Sequence, residues 1–184
     1  MEQNQSEIHP DMPMEQVNET YAGARRALFA KYHIGGCSSC AYEPGETLRS
    51  VCKRNEIDIE EAIDYVLKSH AVDQEMLISP EEANKLIQSG EKVLLIDTRT
   101  REEHDAVKIA GSELMTQEYQ QNVFGTVDPE AIILLYDHSG KSVLDTCAWF
   151  IGHKMINTKG IAGGIDAWSQ KVDKSVARYR MEMS

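Results

Sequence analysis

Two cysteines set two residues apart, in Cys37-Ser38-Ser39-Cys40, are the part of this chain best equipped for chemistry. That spacing brings two sulfurs within bonding range in a single turn, and each thiolate can attack or resolve a bond made by the other. Gly35 and Gly36 let the backbone turn tightly ahead of them and leave the sulfurs accessible, which makes Cys37 the slightly more exposed candidate. A nearby helix N-terminus would favour the thiolate, and Glu43 and Glu46 would oppose it. The chemistry expected is thiol–disulfide exchange or carriage of a persulfide. Metal binding is the rival: Cys37, Cys40 and Cys52 supply three thiolates, and His33 could complete a zinc site. The three cysteines could also hold an iron–sulfur cluster, its fourth position open or filled across a homodimer. The common zinc-finger spacing of two close ligand pairs is not matched, and Cys52 falls where a helical core residue would fall, beside Leu48 and Val51.

The elements that must position these residues read as helical from Glu15 to about His70. Val17, Tyr21, Ala24, Leu28 and Tyr32 recur at three- or four-residue spacing on one helix face, with a possible break near Gly23. The Gly35-Gly36 pair ends the run, the helical pattern resumes from Thr47 to Cys52, and Asp58 with Glu61 reads as a capping box for another helix. Residues 1–14 are polar, carry two prolines and lack periodicity, and are expected to form a disordered tail. Ser69 to Glu75 reads as a polar link. Beyond it, helix and strand alternate. Ser79-Pro80-Glu81-Glu82 supplies an N-cap, a proline at the first helical position and a capping-box glutamate, and Gly90 suits the C-cap. Val93-Leu94-Leu95-Ile96 and Ile132-Ile133-Leu134-Leu135-Tyr136 are continuous apolar runs of the kind found in buried parallel strands. A helix between Ser142 and His153 turns Val143, Leu144, Cys147, Ala148 and Ile151 inward, so Cys147 is read as core. The pattern implies an open α/β sheet with sites at the carboxyl ends of its strands.

A net charge of -11 with scattered basic residues argues against nucleic acid as a partner. No apolar stretch is long enough for a membrane span, and the polar, acidic N-terminus lacks the features of a signal peptide. The expected location is the cytoplasm, a reducing compartment where the four cysteines are redox-active, metal-binding or inert rather than structural disulfides.

The second half resembles the rhodanese-like domain family. Asp97-Thr98-Arg99, with Glu103 after it, is similar to that family's first signature, and Ile109-Ala110-Gly111 echoes the signature's end, with Val107-Lys108 in place of the usual Gly-His. Gly163-Gly164-Ile165-Asp166-Ala167-Trp168 matches its closing Gly-Gly-x-x-x-Trp, and residues 172–179 look like an extension found in some members. In active members, the resemblance implies, the strand before the loop ends in cysteine, loop N–H groups and a helix N-terminus form an anion nest for its thiolate and persulfide, and the last loop residue is often arginine. Here the segment is Asp137-His138-Ser139-Gly140-Lys141-Ser142: Asp137 stands at the cysteine position and Ser142 at the arginine position. A carboxylate carries no sulfane sulfur. The reading adopted is that Asp137 caps the loop and helix of a degenerate site; the alternative is a new general base or ligand. His138 and Lys141 would draw a small anion or a partner carboxylate, although His138 is read as an exposed loop residue. Asp97 and Arg99 are expected to pair near the strand end, and Trp168 to be core.

The segment from Val17 to Leu67, with His33-Ile34-Gly35-Gly36-Cys37-Ser38-Ser39-Cys40, Glu46-Thr47-Leu48 and Ile57-Asp58, is similar to the small helical redox-disulfide domain associated with hybrid-cluster proteins. The expected architecture is therefore α/β. A rhodanese-like open parallel sheet flanked by helices spans 75–184, behind a small all-helical domain over 15–70. The expected role is sulfur relay or thiol–disulfide exchange through Cys37 and Cys40, without a cofactor, with a sulfur donor, sulfur acceptor or thiol-redox protein as partner. The alternatives are an iron–sulfur or zinc protein, a non-catalytic partner-binding protein, and a conventional thiosulfate sulfurtransferase.

Overall fold

Apolar residues at helical spacing build the first part of the chain. A computed structural model describes residues 7–35 and 42–179, and the chain divides into two units, Met1–Gln74 and Glu75–Ser184. In the first unit, α1 (Met14–Thr20) and α2 (Ala24–Tyr32) are separated at Gly23. A Cβ at that glycine would collide with the Asp73 carboxylate, which forms an ion pair with Arg26. α3 (Leu48–Arg54) starts at Thr47, whose hydroxyl accepts the Ser50 N–H at 3.2 Å. Ahead of α4 (Ile59–Glu75), the Asp58 carboxylate accepts the Glu61 N–H at 2.9 Å. Val17, Tyr21, Leu28, Leu48, Val51 and Val66 meet in one core.

Two expectations are corrected here. Residues 8–14 are no tail. Met12 and Met14 are 0% exposed and Ile8 is buried with them, while the Leu48 N–H donates to the Met12 carbonyl at 3.0 Å and the Met14 N–H to that of Glu46 at 2.8 Å. Three apolar side chains among polar ones suffice when a neighbouring segment satisfies the backbone. Residues 1–6 lie outside the described residues. Nor is Ser69 to Glu75 a link, because α4 runs through it. Two of its polar residues have partners within the unit: Asp73 is buried against Arg26, and the His70 ring stands edge-on to Tyr21 at 5.1 Å.

The second unit is an α/β sheet of five parallel strands in the order β1-β5-β4-β2-β3. The apolar runs form its centre as β2 (Val93–Asp97) and β4 (Ile132–Tyr136), paired from Val93↔Ile132 to Asp97↔Tyr136. β1 (Leu77–Ile78), β3 (Glu113–Leu114) and β5 (Thr158–Ile161) complete it. Between them run α5 (Pro80–Gln88), α6 (Arg101–Ala106), α7 (Gln117–Thr126) and α8 (Val143–Gly152), and α9 (Gly164–Lys171) follows β5. Ser79 with Glu82 caps α5 in a reciprocal box, and Thr100 with Glu103 does the same for α6. Leu134, Tyr136 and Leu95 share one core with Ile165 and Trp168. The alternation of a strand puts Ile133 and Leu135 on the other face. Gly160 of β5 lies under α8, where a Cβ would meet Val143 and the Cys147 sulfur. Among the described residues no helix is long and apolar enough to cross a membrane.

Candidate functional site

Two aspartates leave the carboxyl ends of the central strands: Asp97 closes β2 and Asp137 follows β4. Asp137 is 7% exposed and turns its carboxylate back into the loop behind it. Its Oδ1 accepts the Gly140 N–H in a short hydrogen bond, and its Oδ2 accepts the N–H of Val143, the first residue of α8, at 2.9 Å. The carboxylate thus satisfies a loop amide and an N-terminal amide of α8, one of the donors a helix leaves without an internal partner. Ser142, at the start of α8, makes no side-chain capping bond.

The loop is clamped from below by Gly163 and Gly164. The N–H groups of Ile165 and Asp166, in the first turn of α9, donate to the Asp137 and His138 carbonyls at 2.9 and 3.2 Å. A Cβ on Gly164, whose φ is +58°, would come within 2.5 Å of the Asp137 carbonyl oxygen. One on Gly140 (φ +80°) would meet the Gly163 nitrogen. Glycine is required at both places by close backbone approach and by a positive φ. Ser139, Lys141 and Ser142 are exposed. His138 is not the exposed residue expected of a loop. It is half-buried, its ring lies 4.6 Å from that of Tyr179, and its Nδ1 is buried without a hydrogen-bond partner among the described residues. The sequence could not reveal this, because the covering residue lies 41 positions later, in the stretch after α9.

Beside the loop opens a cleft of about 450 Å³ whose walls include Thr98, Thr100, Asp137, Ser139, Ser142 and Thr146. Arg99 borders it, yet its guanidinium is already engaged. Nε and Nη2 donate to Asp97 at 2.9 and 2.6 Å, Nη2 also to the Val107 carbonyl at 2.7 Å, and Nη1 to the Tyr179 hydroxyl at 2.9 Å. Asp97, 0% exposed, further accepts from the Arg99 N–H, from His104 Nδ1 at 2.9 Å and from the Tyr136 hydroxyl at 2.8 Å. Burial alone would raise the Asp97 carboxyl, but the Arg99 side chain and N–H, then His104 and Tyr136, outweigh it and hold the group below its ordinary value. Burial pushes the Tyr136 phenol up, and Ser112 and the Ile109 N–H complete its bonding. The Tyr179 phenol is pushed up to about 12, first by burial and then by the Glu103 carboxylate to which it donates at 2.5 Å. Motif reading found Asp97, Arg99 and Glu103 but missed His104, Tyr136 and Tyr179. Tyr136 sits inside an apolar run that gives no sign of its buried hydroxyl. Trp168 lies in the core, 4% exposed, and a Cβ on Gly163 would strike Ala167 in the same helix.

In the first unit, Cys37 and Cys40 lie outside the described residues, as do Gly36, Ser38 and Ser39. The residues on either side are held firmly. Gly35 (φ +85°) offers its carbonyl to Arg25 Nε and Nη2 at 3.2 and 3.0 Å, and the Tyr42 hydroxyl bonds to Asn18. A cleft of about 390 Å³ lies among Glu15, Asn18, Arg25, Gly35, Tyr42 and Pro44. Cys52 is buried among Leu48 and Val51, and burial, with Asp58 adding to it, pushes its thiol up and so disfavours the thiolate a metal would need. His33 is exposed at the end of α2, its ring edge-on to Phe29 at 5.9 Å. Among the described residues no cluster of three potential metal ligands occurs. Cys147 is fully buried on α8.

The sequence profile of the family described as "Rhodanese-like domain" matches residues 79–171. Similar solved structures include a rhodanese-like domain protein from Staphylococcus aureus, 16% identical over 56% of this chain and 98% of that one, with a TM-score of 0.43. Two others share a TM-score of 0.47: the rhodanese-like domain of an Anabaena sp. protein (14% identity, covering 59% and 89%) and a full-length protein from Lactobacillus plantarum (17%, covering 58% and 92%). No curated protein matches the chain.

Proposed function

The chain belongs to the rhodanese-like domain family, and from that membership we propose that the family's sulfur chemistry is carried here by Cys37 and Cys40, with the 137 loop as a scaffold. The observation that carries this reading is the Asp137 carboxylate seated on the Gly140 and Val143 amides. A sulfur-handling loop needs a thiolate in that place, and oxygen at the end of the side chain can neither attack a sulfane sulfur nor hold one. Cys147, the one cysteine within the matched residues, is buried inside α8.

In the proposed relay, one thiolate of the pair attacks the outer sulfur of a donor persulfide. The donor S–S bond breaks, the donor leaves as a thiolate, and the persulfide now sits on the attacking cysteine. The second thiolate then attacks the inner sulfur of that persulfide, forming the Cys37–Cys40 disulfide and releasing hydrosulfide. A dithiol partner resets the pair by exchange, becoming oxidised as the pair is reduced. The partners are thus a persulfide-bearing donor and a reducing dithiol protein. Incubation of the reduced chain with a low-molecular-weight persulfide tests this. Hydrosulfide release is expected from the wild type and from D137N, and is expected to vanish in C37S/C40S. Release that survives C37S/C40S contradicts the reading.

A further inference from the structure

Over residues 177–179 the chain runs as an irregular strap, and the ties described for it all pass through side chains. The strap starts from a firm anchor: Val176 is buried and its carbonyl accepts the Ser169 hydroxyl at 2.6 Å. Arg178 then grips Asp166 with two bonds, at 2.6 and 3.0 Å, and Tyr179 reaches Glu103, Arg99 and the His138 ring. The Arg178 side chain is 56% exposed, and ion pairs so open to water hold weakly.

The strap also partitions a larger surface. Beside the 137 cleft lie two more depressions. One, of about 420 Å³, is lined by Glu102, Glu103, Ala106, Val107, Ala177 and Tyr179; the other, of about 360 Å³, by His138, Asp166, Arg178 and Tyr179. Glu103 and His138 belong to the walls of the 137 cleft as well. Tyr179 is the shared wall of the two smaller depressions, so lifting the strap joins all three.

We infer that this joined surface is a docking groove for an extended segment of a partner protein that carries an arginine followed by an aromatic residue, and that Ala177-Arg178-Tyr179 is its internal occupant. The strap displays the recognition chemistry. A carboxylate, Asp166, takes the guanidinium in fork geometry, while Glu103 and Arg99 bracket a phenol oxygen and His138 takes the ring. Ala106 and Val107 supply the apolar floor, and Glu102, Glu103 and Asp166 give the rim a charge that favours a basic segment. Because the strap is tethered, it competes at high effective concentration and keeps the groove closed until a segment with the same chemistry displaces it. This inference stands apart from the sulfur relay and needs neither Cys37 nor Cys40.

The test is isotope-edited NMR on the full chain with the blocked peptide Ser-Val-Ala-Arg-Tyr. In R178A/Y179A, which loosens the latch and leaves the Val176 anchor in place, titration should shift the amides of Glu103, His138 and Asp166. Wild type should need about tenfold more peptide, since the strap competes, and a peptide with alanine for the arginine and tyrosine should do nothing. No shift in R178A/Y179A, when the same spectrum shows a folded sheet unit, overturns the inference. A concentration-dependent dimer of the wild type that R178A/Y179A abolishes overturns the partner assignment and gives the groove to the strap of a second copy.

Discussion

Asp137 ends in two acceptor oxygens, and both are used within its own loop and the helix after it. Its two oxygens occupy the amides of Gly140 and Val143, so the loop is held closed by its own side chain. Truncation in D137A strands both donors, and should destabilise the second unit by about 1–3 kcal/mol, as a buried donor without an acceptor does. Trp149 and Trp168, the only tryptophans, both lie in that unit, so urea unfolding followed by their fluorescence reads the effect directly. An unchanged midpoint would show the bonds to be idle. A second residue-scale prediction concerns Tyr136, whose hydroxyl helps to keep Asp97 ionised. The folded value of Asp97 is lowered from 3.8, so its stabilisation is complete above that pH and is lost as pH falls through the folded value. Y136F removes one of the donors that lower it and should be less stable than wild type by about 1–3 kcal/mol near neutral pH. That gap should narrow as the pH drops below 3.8. A gap independent of pH would mean that the lost hydroxyl does not act through Asp97.

At the level of elements, what could be read beforehand was whatever local pattern dictates. β2 and β4 are continuous apolar runs because both faces are covered, and α5 announces itself through Ser79, Pro80 and Glu82. β1 and β3 have two residues each, and β5 includes Lys159 and Gly160. Their pairing is decided by what lies beside them in the sheet, so no local pattern records it. The same limit applies to residues 8–14. Their three apolar side chains show no period, yet Met12 and Met14 are completely enclosed, with Leu48 at the start of α3 donating to the Met12 carbonyl and Glu46 ahead of it accepting from the Met14 N–H. Replacing Met14 with alanine should cost the first unit about 2–5 kcal/mol, the range for truncating a buried methionine. Hydrogen exchange of α1 and α3 amides checks this, and protection equal to wild type would argue that the segment is dispensable. The site followed the same division. Asp97, Arg99, Gly163, Gly164 and Asp137 were legible from motif spacing, whereas His138's cover and the Tyr179 bonds depend on contacts across more than forty residues.

Across the whole molecule, the two units have different tasks under the proposed function. The sheet unit belongs to the rhodanese-like family and seats the Asp137 carboxylate on the loop amides after β4, and the closely spaced pair Cys37 and Cys40 precedes it in the chain. Under the proposed function, sulfur from a persulfide donor resides on Cys37 or Cys40. The most direct measurement is peptide mapping by mass spectrometry of the full chain after brief exposure to such a donor, with thiols blocked at once. Added sulfur, or a Cys37–Cys40 disulfide, is expected in the peptide holding that pair, and none in the peptides holding Cys52 and Cys147. Sulfur found on Cys147, with the pair unmodified and reduced, would contradict it.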